Sequence, residues 1–181
     1  MADAEFILLG DALWLDFVNT GRGRGPVTDR LPDAAAYHRW AKASRIASDA
    51  DVTGFHIVRR FRSRLTALAE SLDAGMPPPT AVITALNELL ARAPGHERLR
   101  REGGAWRLRF EADTVPGGLV AVAHSAATML ADPAFEVHRC AAESCTLFFA
   151  VPAGALDRHW CSLEPCGRES RVERRRGVLR S

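Results

Sequence analysis

Residues 140–166 read CAAESC, then TLFFAVPAGALDRHW, then CSLEPC, and they hold every cysteine of the 181-residue chain. Cys140 and Cys145 bracket four residues, Cys161 and Cys166 bracket four more, and fifteen residues separate the two pairs. Two short-range pairs joined by a mid-length loop suit a tetrahedral ion. Each pair takes one side of the metal, and the loop brings the pairs together. Zinc accepts four thiolates without redox chemistry, so a closed all-cysteine set reads as one structural Zn2+ rather than a catalytic one. Two disulfides are the competing reading, and those persist in oxidising compartments. The start Met1-Ala2-Asp3-Ala4-Glu5-Phe6 is acidic, with no basic region leading into an apolar run, so no signal peptide is expected. The expectation is a cytoplasmic chain with reduced thiols and bound zinc.

Outward from the cysteines, the bulk numbers are those of a globular protein, at 47% hydrophobic and 25% charged residues. The length suits one domain plus a small appendage. Net charge is only +2, but it is unevenly spread. From Arg158 to Ser181, seven arginines face three glutamates, a local +4 that leaves −2 for residues 1–157. Lys42 is the only lysine, so 23 of the 24 basic residues are arginine. The longest weakly polar stretch, Gly117 to Ala131, contains His124, Ser125 and Thr128. It falls short of the ~20 residues a membrane span needs. No membrane partner is expected.

The first 136 residues read as a helical bundle. Leu8 to Val18 is short and apolar, and the glycines and proline of Gly21 to Pro26 make a loop. Pro32-Asp33 opens a helix through about Ala43. From about Asp51 to Asp73, Phe55, Val58, Phe61, Leu65, Leu68 and Leu72 recur at steps of three and four, and Gly75 follows as a stop. Arg59, Arg60, Arg62 and Arg64 lie mostly off that stripe, on a solvated face or an anion-binding one. After Pro77-Pro78-Pro79, Val82, Ile83, Leu86, Leu89 and Leu90 mark another helix. Gly103-Gly104 signals a small hairpin, with Trp106, Leu108 and Phe110 alternating with charged neighbours. A last bundle helix spans about Gly117 to Ala131. The expected fold is mainly α: residues 1–136 form a helical bundle with one small β-hairpin, and residues 137–181 a four-cysteine zinc module ending in a helix.

Within the module, Leu147, Phe148 and Phe149 must pack on the zinc site, the last helix or the bundle, because a unit this small has little core of its own. Pro165-Cys166-Gly167 makes a tight knuckle, and Arg168 to Arg176 reads as a helix. Arg168, Arg171 and Arg175 share one face of it, with Arg174 close by. Such a row suits phosphate contacts and bidentate guanine readout. It also suits a basic C-terminus that merely keeps the chain soluble, and composition leaves the two readings even. His138 and His159 flank cysteines, but four thiolates already complete the shell.

These residues carry a resemblance. The two pairs, with Arg158-His159-Trp160-Cys161-Ser162 and Cys166-Gly167, resemble the CGNR-type zinc finger. Leu15-Asp16-Phe17-Val18-Asn19-Thr20 is similar to the Leu-Asp-Phe-x-Asn-Thr opening of the ABATE-type helical domain, with Trp40 on the next helix. Both modules occur in a bacterial family of stress-induced transcription regulators, and the resemblance covers nearly the whole chain. It implies DNA binding by the zinc-finger helix, with Arg158, Arg168, Arg171, Arg174 and Arg175 as contacts. A small-molecule effector and a homodimer are compatible partners. The family's Cys-Gly-Asn-Arg stands here as Cys166-Gly167-Arg168-Glu169. Its loop Asp and Ser-Arg are replaced by Val151, Ala153 and Gly154.

Two functions therefore stand side by side. One is a zinc-containing DNA-binding regulator. The other is a zinc-stabilised protein-interaction module without DNA binding, with Phe148-Phe149-Ala150-Val151 as an apolar docking surface. Asp16 and Asn19 line a small-ligand pocket on one reading. On the other they are local structure, an amide acceptor and a helix terminator. No nucleophile–base pair, Gly-rich phosphate loop or His-Glu metal motif appears, so an enzyme is not expected.

Overall fold

The computed structural model describes residues 5–25, 28–46, 54–92, 95–102, 105–112, 117–155 and 157–168. Five helices form the bundle: α1 Leu13–Asn19, α2 Ala34–Ala43, α3 Phe55–Asp73, α4 Thr80–Arg92 and α5 Gly117–Ala131. A hairpin of β1 Gly95–Glu102 and β2 Ala105–Ala112 lies between α4 and α5. A second hairpin, β3 Phe135–Arg139 with β4 Phe148–Pro152, lies beyond them. The sequence announces only the first hairpin. The second comes from the metal module, and β3 runs across residue 136.

Local chemistry explains the helix limits. Asp33 is extended and its carboxylate accepts the Ala36 N–H at 2.8 Å, capping α2. α3 ends because Gly75 takes φ +66°, a left-handed conformation that costs glycine little. Its N–H reaches Leu72 O at 3.0 Å while Met76 N–H reaches Ser71 O at 2.8 Å, so the last carbonyls are satisfied. The stripe Val58, Phe61, Leu65, Leu68 and Ala69 is buried, and Arg59 and Arg60 stay in solvent.

α1 sits at the centre. Trp14, Leu15, Phe17, Val18 and Asn19 are all buried, so this seven-residue helix is covered nearly all round. A helix so short has marginal intrinsic stability and depends on its packing. Phe17 stands against Tyr37, Trp40 and Phe61, with ring centroids 5.0–6.4 Å apart. Trp14 Nε1 points to Met129 Sδ on α5 at 3.3 Å. The β1–β2 hairpin pairs Gly95 with Ala112 through Glu102 with Ala105. The Gly103-Gly104 turn itself lies outside the described residues. Phe110 seats this hairpin by stacking on His124 of α5, centroids 4.3 Å apart. Among the described residues, no helix is long and apolar enough to cross a membrane.

β4 is the wall between two cores. Strand alternation sends successive side chains to opposite faces. Phe148 and Ala150 join the bundle core with Val137, while Leu147, Phe149 and Val151 join a second core built around the four cysteines. Phe148, Phe149, Ala150 and Val151 are all buried. The expected apolar docking surface is therefore an interior strand, because both of its faces are already covered.

Candidate metal centre

The four cysteines converge from three chain segments. Cys140 follows β3, Cys145 precedes β4, Cys161 precedes a turn over Leu163–Gly167 whose Glu164 is extended, and Cys166 lies within that turn. Cys140 N–H bonds Leu147 O and Cys145 N–H bonds Ala142 O, both at 2.9 Å. The second pair is tied to the first by Ala141 N–H to His159 O at 2.9 Å and by Cys161 N–H to Cys140 Sγ at 3.5 Å. All four side chains are buried and unbridged.

Their sulfurs lie within 4.8 Å of one another. Cys145 to Cys161 is 3.9 Å and Cys161 to Cys166 is 3.7 Å. A zinc–sulfur bond of about 2.3 Å in tetrahedral geometry places sulfurs about 3.8 Å apart. A disulfide needs about 2.05 Å. The donor set fits one structural zinc. His138 and His159 stay outside it: His138 faces Glu136 at 3.2 Å, and His159 lies edge-on to Trp160.

The electrostatics of the bare thiols point the same way. Cys140 is held far below the ordinary thiol value, chiefly because Cys145 and then Cys161 hydrogen-bond to it. Cys145 is pushed far up, first by supplying that hydrogen bond to Cys140. Cys166 is pushed up to about 12, by burial first and then by the charges of Cys161 and Cys140. One thiolate thus suppresses ionisation of its neighbours. Four thiolates in this space require a cation, and zinc supplies it when bound, contributing roughly 10–16 kcal/mol of apparent binding free energy in finger peptides.

The site is also held from outside the cysteine segment. Asn19, fully buried at the end of α1, donates from Nδ2 to Phe148 O at 2.8 Å and accepts Phe148 N–H on Oδ1 at 3.0 Å. Asp16 Oδ1 accepts Gly10 N–H at 2.8 Å, and Gly10 O in turn accepts Ala150 N–H at 2.9 Å. A Cβ on Gly10 would come within 2.7 Å of Leu15 Cβ and 2.9 Å of Asp16 N, so only glycine fits there. Asp16 and Asn19 of the Leu15–Thr20 signature thus fasten the free edge of β4 to α1. Both have structural work, directed at the metal module.

Three arginines complete the seam. Arg22 lies over the Phe148 ring with its guanidinium carbon 4.5 Å from the centroid, pairs with Glu70 on α3, and donates to Thr146 O at 3.3 Å. Arg24 Nη2 donates to Ser162 Oγ at 2.9 Å and points at Cys161 Sγ at 3.7 Å. Burial opposes the charge on Arg24, yet its bond to Cys161 and the charges of Cys166, Cys161 and Cys145 outweigh it and raise its pKa. Arg158 lies over the Phe149 ring at 4.8 Å, donates to Cys161 O at 3.1 Å, and pairs with Asp11 at 2.6 Å.

Of the expected nucleic-acid residues, Arg158 is thus committed to intramolecular contacts at the seam. Arg168 is exposed beyond the last cysteine and pairs with Glu164 at 3.3 Å. Arg171, Arg174 and Arg175, with most of the expected final helix, lie outside the described residues. Arg22 and Arg24 escaped the sequence reading, which saw their stretch only as a Gly-Pro loop. Their partners in the metal module lie more than a hundred positions away, and no local pattern announces them.

A family model described as ABATE, "Putative stress-induced transcription regulator", matches residues 11–133. A second, described as a CGNR zinc finger, matches residues 136–177. No curated protein matches the chain.

Proposed function

As the chain belongs to the ABATE family and carries a CGNR zinc finger, we propose that it is a cytoplasmic DNA-binding regulator whose finger contacts duplex DNA with the segment after Cys166. The observation that carries this reading is the family match together with the charge of the C-terminal stretch, seven arginines against three glutamates from Arg158 onward. Arg168, Arg171, Arg174 and Arg175 are the proposed contacts. Zinc has an architectural role here: four thiolates from separate segments hold the turn from which this stretch leaves. A small-molecule effector and a homodimer belong to the same proposal, with the bundle as receiver of the signal.

The alternative, an interaction module without DNA binding, loses its apolar surface because Phe148 to Val151 is buried. What favours it is Arg168-Glu169 in place of the family's Asn-Arg.

Fluorescence anisotropy of the zinc-loaded chain on random duplex distinguishes the two. DNA binding predicts affinity falling steeply with salt, through release of counterions. Arg171→Ala and Arg175→Ala should each weaken binding and flatten the salt slope by about one. Absence of binding at micromolar protein and low salt would reject the DNA reading.

A further inference from the structure

The finger's zinc site is closed by a residue of the other matched segment. Residues 23–25 run alongside residues 144–146: Gly25 N–H bonds Ser144 O at 2.6 Å, Thr146 N–H bonds Gly23 O at 3.0 Å, and Arg24 bridges Cys145 in antiparallel fashion. Thr146 Oγ1 also accepts Gly23 N–H at 3.1 Å. From this seat Arg24 touches both cysteine pairs. Its backbone pairs with Cys145, and its guanidinium meets Cys161 Sγ, 137 positions away, and Ser162 Oγ. Zinc with four thiolates carries a net charge of −2. A half-buried guanidinium against one sulfur offsets that charge and orients the ligand, as outer-sphere partners of metal sites do.

We propose that Arg24 is an outer-sphere positioning residue of the zinc site, and that zinc retention is thereby coupled to the seating of loop 21–25 on the finger. The loop leaves directly from α1, whose Asn19 grips β4, and Arg22 ties it to Glu70 of α3. A displacement of α1 or α3 reaches the metal through this loop. Coupling is reciprocal, so loss of zinc loosens the loop in the bundle. The inference rests on the zinc site alone and holds whether or not the finger contacts DNA.

The test uses the full-length zinc-loaded chain and the rate of zinc transfer to a chromogenic chelator. Loss of an outer-sphere partner weakens metal affinity about 10- to 100-fold, so Arg24→Ala should release zinc at least tenfold faster. Arg24→Lys, which keeps the charge, should restore part of the difference. Arg39→Ala, which removes an exposed pair with Glu5, should not move it. In the cobalt(II)-substituted protein, Arg24→Ala should shift the thiolate-to-cobalt charge-transfer band, a signature that general destabilisation does not produce. Release within twofold of wild type with an unchanged cobalt spectrum overturns the proposal.

Should Arg24→Ala fail to fold, amide exchange on the unmodified chain reads the same coupling. Removing zinc should speed exchange of the Gly25 and Thr146 amides at least tenfold relative to Leu86 in α4. Equal acceleration at all three, or none, overturns it.

Discussion

Replacing Asn19 by alanine strips two hydrogen bonds from one buried residue of another element. Phe148 is 1% exposed and Asn19 0%, so water does not readily replace the lost amide. Each stranded backbone group costs about 1–3 kcal/mol, which sums to roughly 2–6 kcal/mol for the N–H and the carbonyl together. For a chain of this size, 1 kcal/mol moves the melting temperature by about 2–4 °C, so a fall of roughly 4–24 °C is expected. The assay is thermal unfolding of the zinc-loaded protein by circular dichroism at neutral pH, with the exposed Thr84→Ala as control. Asn19→Asp keeps an acceptor for Phe148 N–H but sets a carboxylate against Phe148 O, and should be at least as damaging. A cost below about 0.5 kcal/mol, the ordinary range for surface substitutions, would refute the reasoning. It would mean that α1 and β4 are not fastened by this amide, and would return Asn19 to the ligand-pocket reading.

Further outcomes follow from the same geometry. Phe148→Ala and Phe149→Ala should each cost about 3–5 kcal/mol in urea unfolding, but only Phe149→Ala, on the metal face of β4, should markedly speed zinc release; equal release rates would contradict the two-sided strand. Elemental analysis should find one zinc per chain, and thiol titration should reach four free cysteines only after chelation; a disulfide in the purified protein would contradict the assignment. For Asp29, burial opposes ionisation, but the bidentate pair with Arg62 at 2.7 Å and the Leu31 N–H outweigh it and hold its pKa below the ordinary aspartate value. A carboxylate depressed in the fold stabilises above its unfolded pKa and loses that contribution as pH falls through the folded one. The melting difference between wild type and Asp29→Asn should therefore be constant from pH 5 to 7, in the range above the unfolded carboxylate value of about 3.9, and narrow on further acidification. A pH-independent difference would exclude the charged pair as its source.

Much of this molecule is local, and what is local was legible. The cysteine spacing identifies a metal set because ligand type and short-range geometry are properties of a few adjacent residues. The stripe from Val58 to Leu68 gives α3 through its three- and four-residue period, while Gly75 gives its end and Asp33 the start of α2, each through a hydrogen-bond pattern within one turn. The run Phe148 to Val151 was harder. A short apolar stretch is the same string whether it is an exposed patch or a strand buried on both faces, and only the neighbours decide.

Periodicity and spacing by themselves therefore determined the helical class and the zinc site, and the matched motif residues carried the family resemblance. Tertiary structure decided how the parts are joined. Asn19 meets Phe148 across 129 positions and Arg24 meets Cys161 across 137. A side chain's hydrogen-bond partner at that distance is set by the packing of whole elements, which no periodicity records. The cysteines declare the metal in sequence. That α1 and its following loop hold it in place emerges only once the chain is folded.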